Sequence, residues 1–185
     1  MSTNLFQGKL IRLVASSPDE TAKLASRWYR NSLYARLLDD QPQIPFSEKK
    51  IKEWHEKNLD KLPPESFFFN IQAEDSQKVI GFIGLWTPEW SHSNSWVSIG
   101  IGEPDYWGKG CGTEAMQLVL RYAFTELNLH RVSLGVLGYN QRAIRSYEKA
   151  GFTHEGSSRK SMSREGQRWD VHFMGVLRSE WEQSQ

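Results

Sequence analysis

The residues best suited to chemistry fall in one stretch, Ser95-Trp-Val-Ser-Ile-Gly-Ile-Gly-Glu-Pro-Asp-Tyr-Trp-Gly-Lys-Gly-Cys-Gly-Thr-Glu-Ala115. Gly108, Gly110 and Gly112 alternate through its second half, and a helical pattern of Ala115, Leu118, Val119, Tyr122, Ala123 and Leu127 begins after Thr113. The first amides of a helix lack internal partners, and the helix dipole is positive at that end. Glycines let the backbone approach an anion closely. Together these features predict a seat for phosphate or pyrophosphate. The competing reading is a plain glycine-rich turn before a surface helix. Two familiar phosphate motifs do not fit. Lys109 precedes Gly110 and Thr113 comes too late for a Gly-Lys-Ser/Thr loop, and the even spacing of the glycines does not match the dinucleotide fingerprint. Cys111 lies in the same loop, where a helix N-terminus would lower a thiol pKa. No His or Asp stands at motif distance, so a nucleophilic role is not expected. The histidines at 55, 92, 130, 154 and 172 have no metal-ligand spacing, and no metal is expected.

The elements that must hold this loop can be read from periodicity. In Ser95 to Gly102, Trp96, Ser98 and Gly100 point to one face and Val97, Ile99 and Ile101 to the other, as in a strand. Pro104 ends it. Upstream, Lys9 to Val14 reads as a first strand. Ser17-Pro-Asp-Glu20 reads as a capped helix start, and that helix would bury Leu24 and Trp28. Asn31 to Phe46 is irregular, broken by Pro42 and Pro45. Ser47 caps a second helix with Ile51, Trp54 and Leu59 on one face, stopped by Pro63-Pro64. Strands follow at Phe67 to Ala73 and Val79 to Trp86, with a polar loop, Thr87 to Asn94, returning as a hairpin into the Trp96 strand. After the glycine-loop helix come a strand at His130 to Leu137, a short helix from about Asn140 to Ala150 ended by Gly151, and strands at Phe152 to Met162 and Arg168 to Leu177. Antiparallel runs at both ends with one strand-helix-strand crossover between them make a mixed sheet covered by helices. No repeat, low-complexity segment or linker interrupts residues 1–185, which read as one domain.

Trp107-Gly108-Lys109-Gly110-Cys111-Gly112 resembles the coenzyme A loop of the GNAT N-acetyltransferase superfamily, Gln/Arg-x-x-Gly-x-Gly/Ala, with Trp107 where Gln or Arg is usual. Asn140-Gln-Arg-Ala-Ile-Arg-Ser-Tyr-Glu-Lys-Ala-Gly-Phe152 is a second match, in the right order downstream. Tyr-Trp-Gly-Lys-Gly followed by Thr-Glu-Ala resembles the branch that includes the ribosomal-protein N-terminal acetyltransferases (RimJ/RimL type). The resemblance implies a GNAT fold: a mostly antiparallel sheet of about seven strands, about four helices, and a parallel strand pair that splays apart to admit acetyl-CoA. It further implies that the backbone of Ile99 and Ile101 pairs with the pantetheine arm. The amides of the Trp107 to Thr113 segment (Gly108, Lys109, Gly110, Cys111, Gly112 and Thr113) would hold the pyrophosphate. Asn140 would bind pantetheine, and Tyr147 would donate a proton to the departing thiolate. Tyr147 lies two helical turns beyond Asn140, so both share one helix face. Read without the family, they are a half-buried core tyrosine and a helix-capping asparagine.

Many relatives carry a Glu base two positions before the Gly of the central strand; here Ser98 stands there. A serine hydroxyl is no base, though it can hold a water that passes a proton on. Glu103 reads as a surface turn residue, and Glu89 and His92 as exposed loop residues. A lysine-type amine, pKa about 10.4, is neutral in roughly one molecule per thousand at pH 7, whereas an α-amino group with pKa about 8 asks less of a base. The expected activity is direct acetyl transfer from acetyl-CoA to a primary amine, either a peptide N-terminus or a small amine. The competing class is a GNAT-fold module that binds acyl-CoA without catalysis.

Composition narrows the partners. With 23 Lys and Arg against 22 Asp and Glu, the net charge of +1 gives no basic tract for nucleic acid. No apolar run approaches the roughly 20 residues of a membrane span. The first residues, Met-Ser-Thr-Asn-Leu-Phe, do not read as a signal peptide. A single cysteine rules out an internal disulfide and suits the cytoplasm. The expected assembly is a monomer or homodimer.

Overall fold

In the computed structural model, which describes residues 4–59 and 65–184, seven strands pair into one sheet in the order β1-β2-β3-β4-β5-β7-β6. The strands are β1 (Ile11–Ala15), β2 (Ser66–Ala73), β3 (Val79–Glu89), β4 (Asn94–Ile101), β5 (Arg131–Leu137), β6 (Thr153–Arg164) and β7 (Gln167–Leu177). All neighbours run antiparallel except β4 and β5. The helices are α1 (Pro18–Trp28), α2 (Ser32–Leu38), α3 (Glu48–Leu59), α4 (Cys111–Thr125), α5 (Gln141–Lys149) and α6 (Arg178–Gln183). Pro63-Pro64, expected to stop the second predicted helix, lie outside the described residues.

One sheet face is closed by α4. Ala115, Met116, Val119, Leu120, Ala123 and Phe124, recurring along one face of the helix, pack on inward residues of the strands, among them Ile11, Ile71, Ile83, Leu85, Val132 and Met174. The opposite face carries α1 to α3, which bury Ala25, Trp28 and Tyr34. The two faces of β2 show the division. Ile71 and Ala73 enter the main core, while Asn70 points to the helices and is held by the Thr21 hydroxyl.

Several expectations change here. The Asn31 to Phe46 stretch contains α2, started by Asn31, whose Oδ1 accepts from the amides of Leu33 (3.1 Å) and Tyr34 (3.2 Å). Ser17 is the N-cap residue of α1, but its side chain makes no cap bond; its carbonyl accepts from Thr21 instead. On α3 the buried member is His55, bonded through Nε2 to Ser16 Oγ at 2.6 Å. Trp54 is 49% exposed and rests against Trp86. Strand β3 runs three residues past Trp86 into the expected loop, as far as Glu89. With α2 and α6, six α-helices lie among the described residues, rather than about four.

The pairing of β4 with β5 is short. Asn94, Ser95 and Trp96 oppose Arg131, Val132 and Ser133, and no pairing continues beyond them. From Leu134 onward β5 stays paired with β7 only, and from Val97 onward β4 stays paired with β3 only. The two strands therefore open into a cleft.

Candidate active site

The cleft between the splayed strands is floored by Val97 to Ile101 of β4 and by Gly135 to Leu137 of β5. One end is closed by the glycine loop and the start of α4, one side by α5, and the roof by α2. The direction of the β4 backbone follows from antiparallel alternation. The Gly102 amide donates to the Ile80 carbonyl at 2.8 Å, so every second residue back along β4, Gly100 and Ser98, also bonds toward β3. The N–H and C=O groups of Val97, Ile99 and Ile101 therefore face the gap. The Trp107 indole takes one of them, donating to the Ile101 carbonyl at 2.7 Å. The Ile101 amide and both polar groups of Ile99 remain for a guest.

The loop has the geometry its glycines suggest. Gly108 (φ +75°) and Gly110 (φ +92°) are left-handed, and Gly110 is the N-cap of α4 without a side chain to cap it. The first amides of α4 thus receive nothing from the cap. Gly110, Gly112 and Thr113 line the cleft, and Thr113 Oγ1 and Ser146 Oγ, 2.8 Å apart, tie the start of α4 to α5. Lys109 and Cys111 do not line it. The Lys109 ammonium lies 5.8 Å from the Tyr106 ring centre. Cys111 is buried in the core, where burial and then the Glu114 charge push its thiol pKa up. A helix N-terminus alone would lower it, and the core outweighs that effect.

At the head of the motif Trp107 does more than replace a polar residue. The Arg142 guanidinium stacks on its ring at 4.0 Å and lines the cleft. Burial lowers the Arg142 pKa, yet a guanidinium remains a cation at any neutral pH. No carboxylate pairs with it among the described residues. Arg145 and Lys149 line the same wall, so this end of the cleft is cationic.

Asn140 caps α5, its Oδ1 accepting from the Ala143 amide at 3.2 Å, while its Nδ2 donates to the Leu37 carbonyl at 3.2 Å. The capping alternative is thus realised, and the same side chain lines the cleft. Tyr147 lies two turns along α5, its ring 6.2 Å from Phe152 and its hydroxyl without a hydrogen-bond partner among the described residues. Burial pushes its pKa up to about 12. The phenol therefore holds its proton at neutral pH and has it to donate. Ser98 lines the cleft, but its oxygen accepts from the Trp86 indole N–H, leaving its own proton free to donate. No carboxylate or imidazole lines the cleft among the described residues. Glu103 is turned away from it and accepts from Arg27 and from Trp28 Nε1 (2.8 Å). It is a structural acceptor rather than the surface turn residue expected.

Two contributors were not singled out in the sequence. The roof helix α2 is pinned across the gap: Tyr139 donates to the Arg36 carbonyl, Asn140 to Leu37, and Arg164 to the carbonyls of Asp39 and Gln41 (2.9 Å each). This satisfies carbonyls at the helix end and fixes Tyr34 over Gly100. Around Ser98, Trp86 packs on Trp54 at 6.0 Å, and Trp96, on the Ser98 face of β4, meets Phe173 at 6.5 Å. Trp54, Trp96 and Phe173 are at least 40% exposed. Trp86 and Trp96 oppose each other across β3 and β4, so the two ring pairs share one sheet face and make a part-exposed aromatic wall beside Ser98.

The profile of the acetyltransferase (GNAT) domain matches residues 10–153. The chain belongs to the GNAT family of N-acetyltransferases. A Bacillus subtilis prophage-derived uncharacterized N-acetyltransferase is 32% identical over 143 residues, 77% of this chain and 78% of that protein. The spermidine N(1)-acetyltransferase of Escherichia coli is 42% identical over 126 residues, 68% of this chain and 64% of that protein. The spermidine N-acetyltransferase of Vibrio cholerae, solved with CoA and spermine, superposes with a TM-score of 0.82 at 24% identity over 94% of this chain and 98% of that one, which speaks for the fold. This acetyltransferase uses acetyl-CoA as cosubstrate and an amine as acceptor. Among the described residues no group of three metal-ligating side chains occurs, and no helix is long and apolar enough to cross a membrane.

Proposed function

We propose that this acetyltransferase, acting as one cytoplasmic domain, transfers acetyl from acetyl-CoA directly to the primary amine of a small molecule, polyamines of the spermidine kind included. The aromatic wall beside Ser98 carries this reading. The tilted Trp54–Trp86 pair and the edge-on Trp96–Phe173 pair offer ring faces to an alkyl-ammonium chain, by cation–π attraction and apolar contact at about 0.5–2 kcal/mol per contact. The names of two relatives, spermidine acetyltransferases 31% and 42% identical to this chain, support it. A peptide N-terminus is the second reading, favoured by the mixed charge around α2, where Asp39 and Asp40 stand near Arg36 and Arg164. The pyrophosphate rests on the amides at the start of α4, and the cation missing at position 107 comes from Arg142. The Ile99 edge takes the pantetheine arm. Tyr147 gives its proton to the thiolate, and the amine sheds its proton through a water at Ser98.

Two expected outcomes follow. Thiol release from acetyl-CoA with spermidine, spermine, simple monoamines and short peptides as acceptors should give a kcat/KM at least tenfold higher for a small amine than for any peptide. The reverse order would move the acceptor to peptides, and no release with any acceptor would leave an acyl-CoA-binding module. Arg142→Gln should raise the acetyl-CoA KM about tenfold, the worth of one charge-assisted phosphate contact, with kcat little changed. An unchanged KM would remove Arg142 from the phosphate site.

A further inference from the structure

The Tyr34 hydroxyl is the odd group in the cleft. Tyr34 is 3% exposed, and its Oη is buried without a hydrogen-bond partner. Its ring cannot swing away, because Trp28 and Tyr29 pack against it at 6.3 and 6.1 Å and α2 is pinned at its far end. Buried hydroxyls are nearly always paired, so an orphan facing a cavity calls for a partner that enters from outside. The cavity is the acetyl-transfer cleft, which Tyr34 lines. Within it Oη is aimed at Gly100, where even a β-carbon would come within 2.7 Å. Gly100 is flanked by Ile99 and Ile101, the residues whose free backbone edge faces the gap. The aromatic wall at Ser98 begins one pleat further on, away from the phosphate loop. Burial, and then the neighbouring Tyr29, hold the phenol pKa well above its ordinary value, so this hydroxyl keeps a proton that it can donate.

We infer that the Tyr34 hydroxyl donates a hydrogen bond to a carbonyl oxygen of the acylated pantetheine arm. The inference rests on acetyl-CoA lying along β4 and is independent of which amine accepts the acetyl group. The donor seeks a carbonyl because the arm offers them along its length, in its amides and in the thioester.

Tyr34→Phe tests this, since it keeps the ring and removes only the unpaired oxygen. Three readings are taken: the melting temperature of the ligand-free protein, calorimetric Kd for CoA and for acetyl-CoA, and kcat and KM with the best acceptor. The expected variant melts at or above the wild-type temperature when empty, because an unsatisfied buried group has gone, yet binds acetyl-CoA about tenfold more weakly. Equal weakening for CoA and acetyl-CoA assigns the bond to an amide of the arm. Weakening for acetyl-CoA alone, with a fall in kcat, assigns it to the thioester carbonyl. Unchanged Kd for both ligands would overturn the inference, as would an effect confined to the KM of the acceptor. A lower melting temperature of the empty variant would overturn it too, since the hydroxyl would then be serving the fold. Wild-type protein that binds neither ligand would instead strike the acetyl-CoA placement itself, so the two failures are distinguishable.

Discussion

Replacing Tyr147 by phenylalanine is expected to lower kcat by about 10²-fold or more, the contribution usual for a positioned general acid, with acetyl-CoA affinity within a factor of about three. The thiolate leaving acetyl-CoA must be protonated or hydrogen-bonded inside a cleft that offers no carboxylic acid and no imidazole. Tyr147 is the unpaired phenol on its α5 wall. Its pKa of about 12 looks high for an acid, but the burial that raises a phenol also raises a thiolate enclosed with it, and the two move together. The sign of the pH dependence follows. A donor raised to about 12 stays protonated across any practical assay range, so the rate should climb as the acceptor amine loses its proton and then level off. A wild-type profile that falls with an apparent pKa near 9, with the fall absent from Tyr147→Phe, would contradict this donor state. A natively folded Tyr147→Phe with full turnover would remove the residue from the chemistry.

Glu114→Ala should destabilise the protein by about 3 kcal/mol, a fall of roughly 6–12 °C in Tm for a chain of this size. The Glu114 carboxylate, in the first turn of α4, accepts from three consecutive amides, those of Lys9, Leu10 and Ile11, at 2.8 Å each. Gly8 leaves room for it, since a β-carbon there would lie 2.4 Å from the Glu114 carboxyl carbon. Hydrogen bonds to an ionised acceptor are each worth about 1.5–3 kcal/mol, and three on one half-exposed group overlap rather than add. Ile11 is fully buried, so its amide has no water to turn to once the carboxylate is gone. Glu114→Gln keeps one acceptor oxygen and should lose about half as much. Differential scanning of the three proteins checks this, and an alanine variant melting within 2 °C of wild type would refute it.

Much of this could be read along the chain, because strands and amphipathic helices announce themselves locally. The alternation from Trp96 to Ile101 marked β4, and the glycines after Pro104 marked a backbone built to approach an anion. What could not be read shares a physical reason. Helix α2 has seven residues with prolines close downstream, too little pattern for periodicity to register, and its position depends on Tyr139, Asn140 and Arg164, over a hundred residues away. Glu114 carries no local signal of its role, because the amides it holds, those of Lys9, Leu10 and Ile11, lie over a hundred residues away. Helical periodicity puts Trp54 on one face with Ile51 and Leu59, but His55 holds the buried position, its ring nitrogen bonded to Ser16. Ser98 was recognised as replacing a glutamate, whereas its bond to Trp86, and so the aromatic wall, depends on a side chain reaching across Gly84 from the neighbouring strand.

The brief union of β4 and β5, three residue pairs long, carries a consequence for turnover. Past that point the open flank of β4 offers its hydrogen bonds to whatever lies alongside, and the spent cosubstrate has the same backbone-like tail as the fresh one. The backbone edge of Ile99 is the same for an arm with or without its acetyl group. A cosubstrate arm seated on that edge would leave spent CoA competing with its acetylated form, so added CoA should slow the enzyme in competition with acetyl-CoA.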